Sequence, residues 1–129
     1  MTRLKQILLL LILILMTTND IPVDASTLTR DGGVFYYEGH RETWYNLDMS
    51  NCVETLRRAN YIYADEEAYP VLTRPDGVKM FGVYVMCAAN LDIHPRGSLV
   101  QTSKGLGIVV DTGDFVQDYP DAIDICTSW

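Results

Sequence analysis

Residues 97–126 read GSLVQTSKGLGIVVDTGDFVQDYPDAIDIC. Gly107-Ile108-Val109-Val110 is a short apolar run that ends in Asp111, and Thr112-Gly113 turns the chain after it. A second short apolar element presents Asp124 between Ile123 and Ile125. Alternation along a strand puts Asp124 on the face opposite the two isoleucines. If that face lines a groove, the Asp124 carboxyl is partly desolvated and lies close to a second negative charge. Both effects are expected to raise its pKa toward the range where it can donate a proton. The two carboxylates, Asp111 and Asp124, are together a candidate acid/base site.

The pattern from Val78 to the end is β. Lys79 to Ala89, KMFGVYVMCAA, is one long strand candidate with Gly82 marking a bulge or close approach. His94-Pro95-Arg96-Gly97 is a turn, and Ser98 to Thr102, Gly107 to Asp111 and Ala122 to Thr127 are short strands. Before them, Val34 to Tyr37 and Thr43-Trp44-Tyr45 are β-prone. Asp48 or Ser50 can cap a helix running to about Asn60, with Val53 and Leu56 on its apolar side. Arg57 and Arg58 fall in its last turn, where they complement the helix dipole. Residues 61–77 are acidic, carry two prolines and a Pro-Asp-Gly turn signal, and read as a loop with at most one short strand. Short strands separated by glycine turns point to a small barrel, which leaves no long exposed edge.

The N-terminus reads as a targeting segment. Arg3 and Lys5 precede the apolar stretch ILLLLILILM at residues 7–16, and Val23-Asp24-Ala25 is a small-residue cleavage pattern. Residues 1–25 are thus expected to be a signal peptide, with no stable membrane insertion after cleavage. The rest is long enough for one core, divided into an α/β addition at 26–77 and the core of a barrel at 78–129. The net charge is −7, and residues 1–25 carry equal numbers of acids and bases. Such a chain does not bind nucleic acid through generic electrostatics, and an uncharged sugar backbone suits it better.

Cys52, Cys87 and Cys126 are an odd number for a secreted chain. One pair can form a disulfide, or all three can be small packed residues. His40 and His94 are the only histidines, and no clustered Cys/His spacing suggests zinc. No metal or other cofactor is expected.

Pro95-Arg96-Gly97-Ser98, Ile108-Val109-Val110-Asp111-Thr112-Gly113 and Ile123-Asp124, in this order, resemble the 3D (three-aspartate) domain. The resemblance covers about residues 80–126. It implies a mainly β fold, a small six-stranded double-psi β-barrel, here with a short N-terminal helix-containing addition. It also implies a secreted wall protein of a Gram-positive bacterium or its phage, acting as a monomer on peptidoglycan glycan strands. The family includes the barrel of a membrane-bound lytic murein transglycosylase, in which the last aspartate is the single acid/base. Carried over, Asp124 is that residue, Asp111 supports it, and Asn90, Thr112 and Gly113 contact substrate. Asn90 stands where the family has its first aspartate, Asp114 replaces a glycine, and Asp118-Tyr119-Pro120-Asp121 replaces the usual loop between the last two aspartates. Two rivals to a transglycosylase therefore stand: a non-catalytic wall-binding or regulatory module, and a hydrolase of another polysaccharide.

Overall fold

A computed structural model describes Leu28 and residues 33–128. The expected signal peptide lies outside the described residues. Among them, eight strands form one mixed sheet: β1 (Phe35–Tyr37), β2 (His40–Tyr45), β3 (Val71–Thr73), β4 (Lys79–Phe81), β5 (Tyr84–Ala88), β6 (Leu99–Thr102), β7 (Gly105–Asp111) and β8 (Ile123–Cys126). Helix α1 spans Ser50–Ala59, a 3₁₀ turn follows at Tyr61–Ala64, and a one-turn helix α2 spans Phe115–Asp118.

The mainly β class holds, but the strand path is not a closed six-stranded ladder. It runs β1-β2-β8-β5-β4-β3, with β7 on β5 and β6 on β7. β5 explains the branching. One edge pairs in parallel with β7, while the other is shared: β4 takes Tyr84 and Val85, and β8 takes Cys87 and Ala88. The division arises because the expected long strand 79–89 is two strands. Phe81 faces Tyr84 across a two-residue hairpin, and Gly82 supplies its φ of 59°. A Cβ on Gly82 would also lie 3.0 Å from the Ala68 carbonyl oxygen.

β5 is buried on both faces, which is why its sequence is a continuous apolar run. On the inner face Val85 and Cys87 pack with Val100, Val109, Ile123 and Ile125, and Leu28 joins them. On the outer face Met86 packs with Ile108, Val110 and Cys126 under Met49, Val53 and Leu56 of the α1 region. β2, from the expected N-terminal addition, is hydrogen-bonded into this sheet through its parallel ladder with β8.

Met49 occupies the N-cap of α1, and the Asp48 carboxylate one residue earlier accepts the Ser50 N–H at 2.9 Å and the Ser50 hydroxyl at 2.6 Å. Those bonds hold the Asp48 carboxyl below its ordinary pKa. Arg57 reaches past the helix end: its guanidinium donates to the Tyr63 and Tyr69 carbonyls at 2.8 and 2.7 Å and lies over the Phe81 ring. That side chain thus ties the acidic loop 61–70 to the helix, and the Tyr63 and Tyr69 rings pack it on Phe81.

Candidate acid/base site

The two aspartates of the terminal strands come together around Ala88. In the register, Ala88 faces Asp111 on β7 and Asp124 on β8. A bulge between Cys87 and Ala88 brings Asp111, rather than Val110, opposite Ala88. The bulge is anchored by the Ala89 N–H, which donates to the Asp111 carbonyl at 3.0 Å. The carboxylates thus flank a methyl group, two strand spacings or about 10 Å apart between Cα atoms.

Asp124 lies on the outer face, opposite Ile123 and Ile125, as alternation predicted. It is half-buried, and the Thr43 hydroxyl donates to its Oδ1 at 2.8 Å. Thr43 is its register partner in the parallel β2–β8 ladder. Burial raises the Asp124 pKa above the ordinary carboxylate value, against the Thr43 hydrogen bond and the Arg41 charge, which lower it. The expected contribution from Asp111 is absent among these causes: desolvation alone carries the rise. Arg41, two residues before Thr43 on β2, stacks its guanidinium over the Tyr119 ring at 3.9 Å from the centroid.

The charge of Asp111 falls on other groups. Its carboxylate accepts from the Cys52 thiol on α1, and burial together with that contact raises the Cys52 pKa. Tyr45 sits between the carboxylates and the helix. Its hydroxyl donates to Met49 Sδ at 3.3 Å, and burial, with Cys126, Asp111 and Asp124 around it, keeps the phenol protonated. Cys126, beside Tyr45, is pushed up to about 11 by burial, and Cys87 is buried and also raised. All three thiols are free. Cys87 and Cys126 belong to opposite faces of the sheet, which rules out a bond between them without rearrangement.

Asn90 directs its side-chain oxygen to the Asp92 N–H at 3.0 Å, and its carbonyl accepts from His94 at 2.8 Å; it builds the turn after β5. Thr112 is exposed, and Gly113 starts the turn into α2, where its carbonyl accepts from Val116. These two follow Asp111 along the chain but lead away from Ala88 into α2. Trp44 packs against the inner core and Tyr36 is exposed.

Sequence reasoning missed Thr43, Arg41, Tyr119 and, above all, Glu42. Glu42 is fully buried. It accepts from His40 Nε2 at 2.7 Å, from the Ser103 N–H at 3.0 Å and from the Ser103 hydroxyl at 2.6 Å. Ser103 lies in the β6–β7 hairpin, so Glu42 bridges β2 to β6–β7 where no backbone ladder runs. The signal was present: alternation in His40-Arg41-Glu42-Thr43-Trp44 places Glu42 with inward-facing Trp44.

Among the described residues no group of three or more His, Cys, Asp or Glu side chains is arranged to hold a metal ion, and no helix is long and apolar enough to cross a membrane. Comparison of the chain with protein-family models, with curated proteins and with solved structures gave no match.

Proposed function

We infer that this chain is a secreted protein of the bacterial cell wall that cleaves peptidoglycan glycan strands by lytic transglycosylase-type chemistry, on a sheet related to the double-psi barrel of the 3D domain. The observation that carries the reading is Asp124: a half-buried carboxyl group, fixed by Thr43 and biased by burial toward its protonated form. That is what a single acid/base needs. Asp124 would donate its proton to the glycosidic oxygen as the bond from C1 of N-acetylmuramic acid breaks. The carboxylate so formed then takes the proton of the C6 hydroxyl as that oxygen bonds to C1. The product is a 1,6-anhydro sugar, the second strand leaves with a free hydroxyl, and no water is consumed.

A second reading is favoured by a different observation. Asn90, at the position of the first family aspartate, spends its side-chain oxygen in its own turn, and Asp111 is engaged by Cys52. A module that binds glycan without cutting it needs neither a first aspartate at position 90 nor a free carboxylate at Asp111. Hydrolysis differs from both in consuming a water and in using a second carboxyl group, as base or as nucleophile.

Mass spectrometry of purified peptidoglycan treated with the protein separates these readings. Anhydro-muropeptides from the wild type and none from Asp124→Asn support the transglycosylase. Reducing-end products point to hydrolysis. No soluble product, with protein retained on the pellet, overturns the enzyme and leaves the binder.

A further inference from the structure

A cleft of about 760 Å³ opens on the outer face of the sheet, between the α1 region and β3–β4. Met86 and Val53 line it, and Val71 of β3 forms one wall. This volume suits a small ligand or a few peptide residues.

β3 is a sheet edge, paired with β4 alone, and its three residues are exposed. The Arg74 N–H donates to the Val78 carbonyl at 2.9 Å and the Gly82 N–H to the Pro70 carbonyl at 2.8 Å. Those bonds fix the phase of the antiparallel ladder, with Leu72 opposite Met80 as the hydrogen-bonded pair between them. The main-chain groups of Val71 and Thr73 therefore point away from β4. Two alternate residues with free N–H and C=O groups are what an added strand pairs with. Val71 faces Phe81 of the outer core, so alternate side chains of an added strand would fall on the outer face, toward the cleft.

The charges select among occupants. Asp48, Glu54 and Glu66 line the cleft with Arg57 and Lys79. Arg57 is committed to two main-chain carbonyls, and Lys79 donates to the Thr73 hydroxyl at 2.9 Å. The ion pairs among the described residues are His40–Glu42 and Arg74–Asp76. Glu54 and Glu66 thus enter neither, and they favour a cationic group. The cleft also adjoins the Asp124 site. Met86 and Ala88 are two residues apart on β5, about 7 Å along the strand on one face. Tyr45 is the partition, with its hydroxyl on Met49, a cleft residue, and its phenol in the field of Asp124.

We propose that this cleft is a stem-peptide subsite. It would hold an extended peptide branch of the glycan along the free edge at Val71 and Thr73, with a primary amine of that branch against Glu54 and Glu66. The proposal rests on the glycan reading above, because a branched glycopeptide is the ligand that fills two adjoining sites, one for sugar and one for peptide.

The test is a titration of isotope-labelled protein with N-acetylmuramoyl-L-alanyl-D-isoglutaminyl-L-lysine, followed by NMR. Shifts should concentrate at Val53, Val71 and Thr73. Acetylating the lysine amine of the probe should weaken binding roughly fivefold, the scale of an exposed ion pair. Glu54→Gln with Glu66→Gln should do the same to the unmodified probe. Equal affinity of the acetylated probe, or shifts confined elsewhere, overturns the subsite. So does equal binding of an unrelated lysine-containing peptide, which would make β3 a general strand-docking edge. Shifts at Val71 on raising protein concentration alone would assign the edge to a second copy. Glycan stripped of its peptides isolates the two proposals. Stripped glycan acting at Asp124 while the muramyl probe leaves the cleft silent removes the subsite alone. A filled cleft with no anhydro product from intact peptidoglycan removes the catalytic reading alone.

Discussion

Thr43 and Asp124 face one another across the parallel β2–β8 ladder, and the Thr43 hydroxyl donates to the Asp124 carboxylate at 2.8 Å. The bond favours the ionised form, while burial favours the neutral form and outweighs it. The protonation of Asp124 is thus set by two opposed effects that substitution can separate.

Thr43→Val removes the donor and keeps the branched shape. The Asp124 pKa should rise further. If Asp124 must be protonated to act, glycan cleavage is lost as pH rises through its pKa, so the alkaline limb of the pH–rate profile should move to higher pH. The cost in stability should be about 1 kcal/mol, the scale of one hydrogen bond. An unmoved limb would show that Asp124 is not the titrating group.

Asp124→Asn tests the same balance through stability. The folded-state pKa of Asp124 lies above its ordinary value of 3.8. The folded state therefore binds this proton more tightly than the unfolded state. The associated stability is fully present below the ordinary pKa and is lost as pH rises through the raised one. Asparagine carries no such loss. The variant should melt above the wild type at neutral pH, and that advantage should shrink as the pH falls through the raised pKa and be gone below 3.8. A variant that melts lower at neutral pH would sink the desolvation argument.

Much of this site was legible in the chain. The apolar run into Asp111, the turn at Thr112-Gly113 and the Ile123-Asp124-Ile125 alternation each fixed a strand and a face by local rules. What those rules cannot give is the register between strands distant in sequence. The bulge at Cys87/Ala88 and the Thr43–Asp124 bond over 81 positions are of this kind. The split of 79–89 at Gly82 was missed because a glycine in a long apolar run signals a bulge as readily as a hairpin. Nor does a free-standing motif reveal that the Asn90 side-chain oxygen accepts from Asp92 in its own turn, or that the Asp111 carboxylate accepts from the Cys52 thiol.

Cys52 reports on Asp111 directly. Burial and the Asp111 carboxylate together raise the Cys52 pKa. A half-exposed thiol so placed should react slowly with a thiol-specific reagent at mildly alkaline pH. Asp111→Asn removes the negative charge, lowers the Cys52 pKa and should speed labelling at unchanged fold. Cys87 should remain unlabelled until the protein unfolds, since it is fully buried. Equal labelling rates in wild type and variant would place Asp111 away from Cys52.

Glu42 carries the largest expected stability effect. It is a buried carboxylate held by His40 and Ser103, and it joins β2 to the β6–β7 hairpin across a gap in the backbone ladder. Glu42→Ala deletes the carboxylate and strands the Ser103 N–H and hydroxyl. Breaking such a buried network should cost about 3–5 kcal/mol. Ser103→Ala removes only the hydroxyl donor and leaves the N–H bond, so about 1.5–3 kcal/mol is expected, the range for one hydrogen bond to a charged group. Urea unfolding of the two variants gives the comparison. Hydrogen exchange should then show faster opening at Ser103 and Lys104 in both, with β5 protected, because the β5–β7 and β5–β8 ladders that hold it do not include Glu42. A Glu42→Ala protein as stable as the wild type would mean that the inner core alone holds β2 against the β6–β7 hairpin and that the Glu42 bridge contributes nothing.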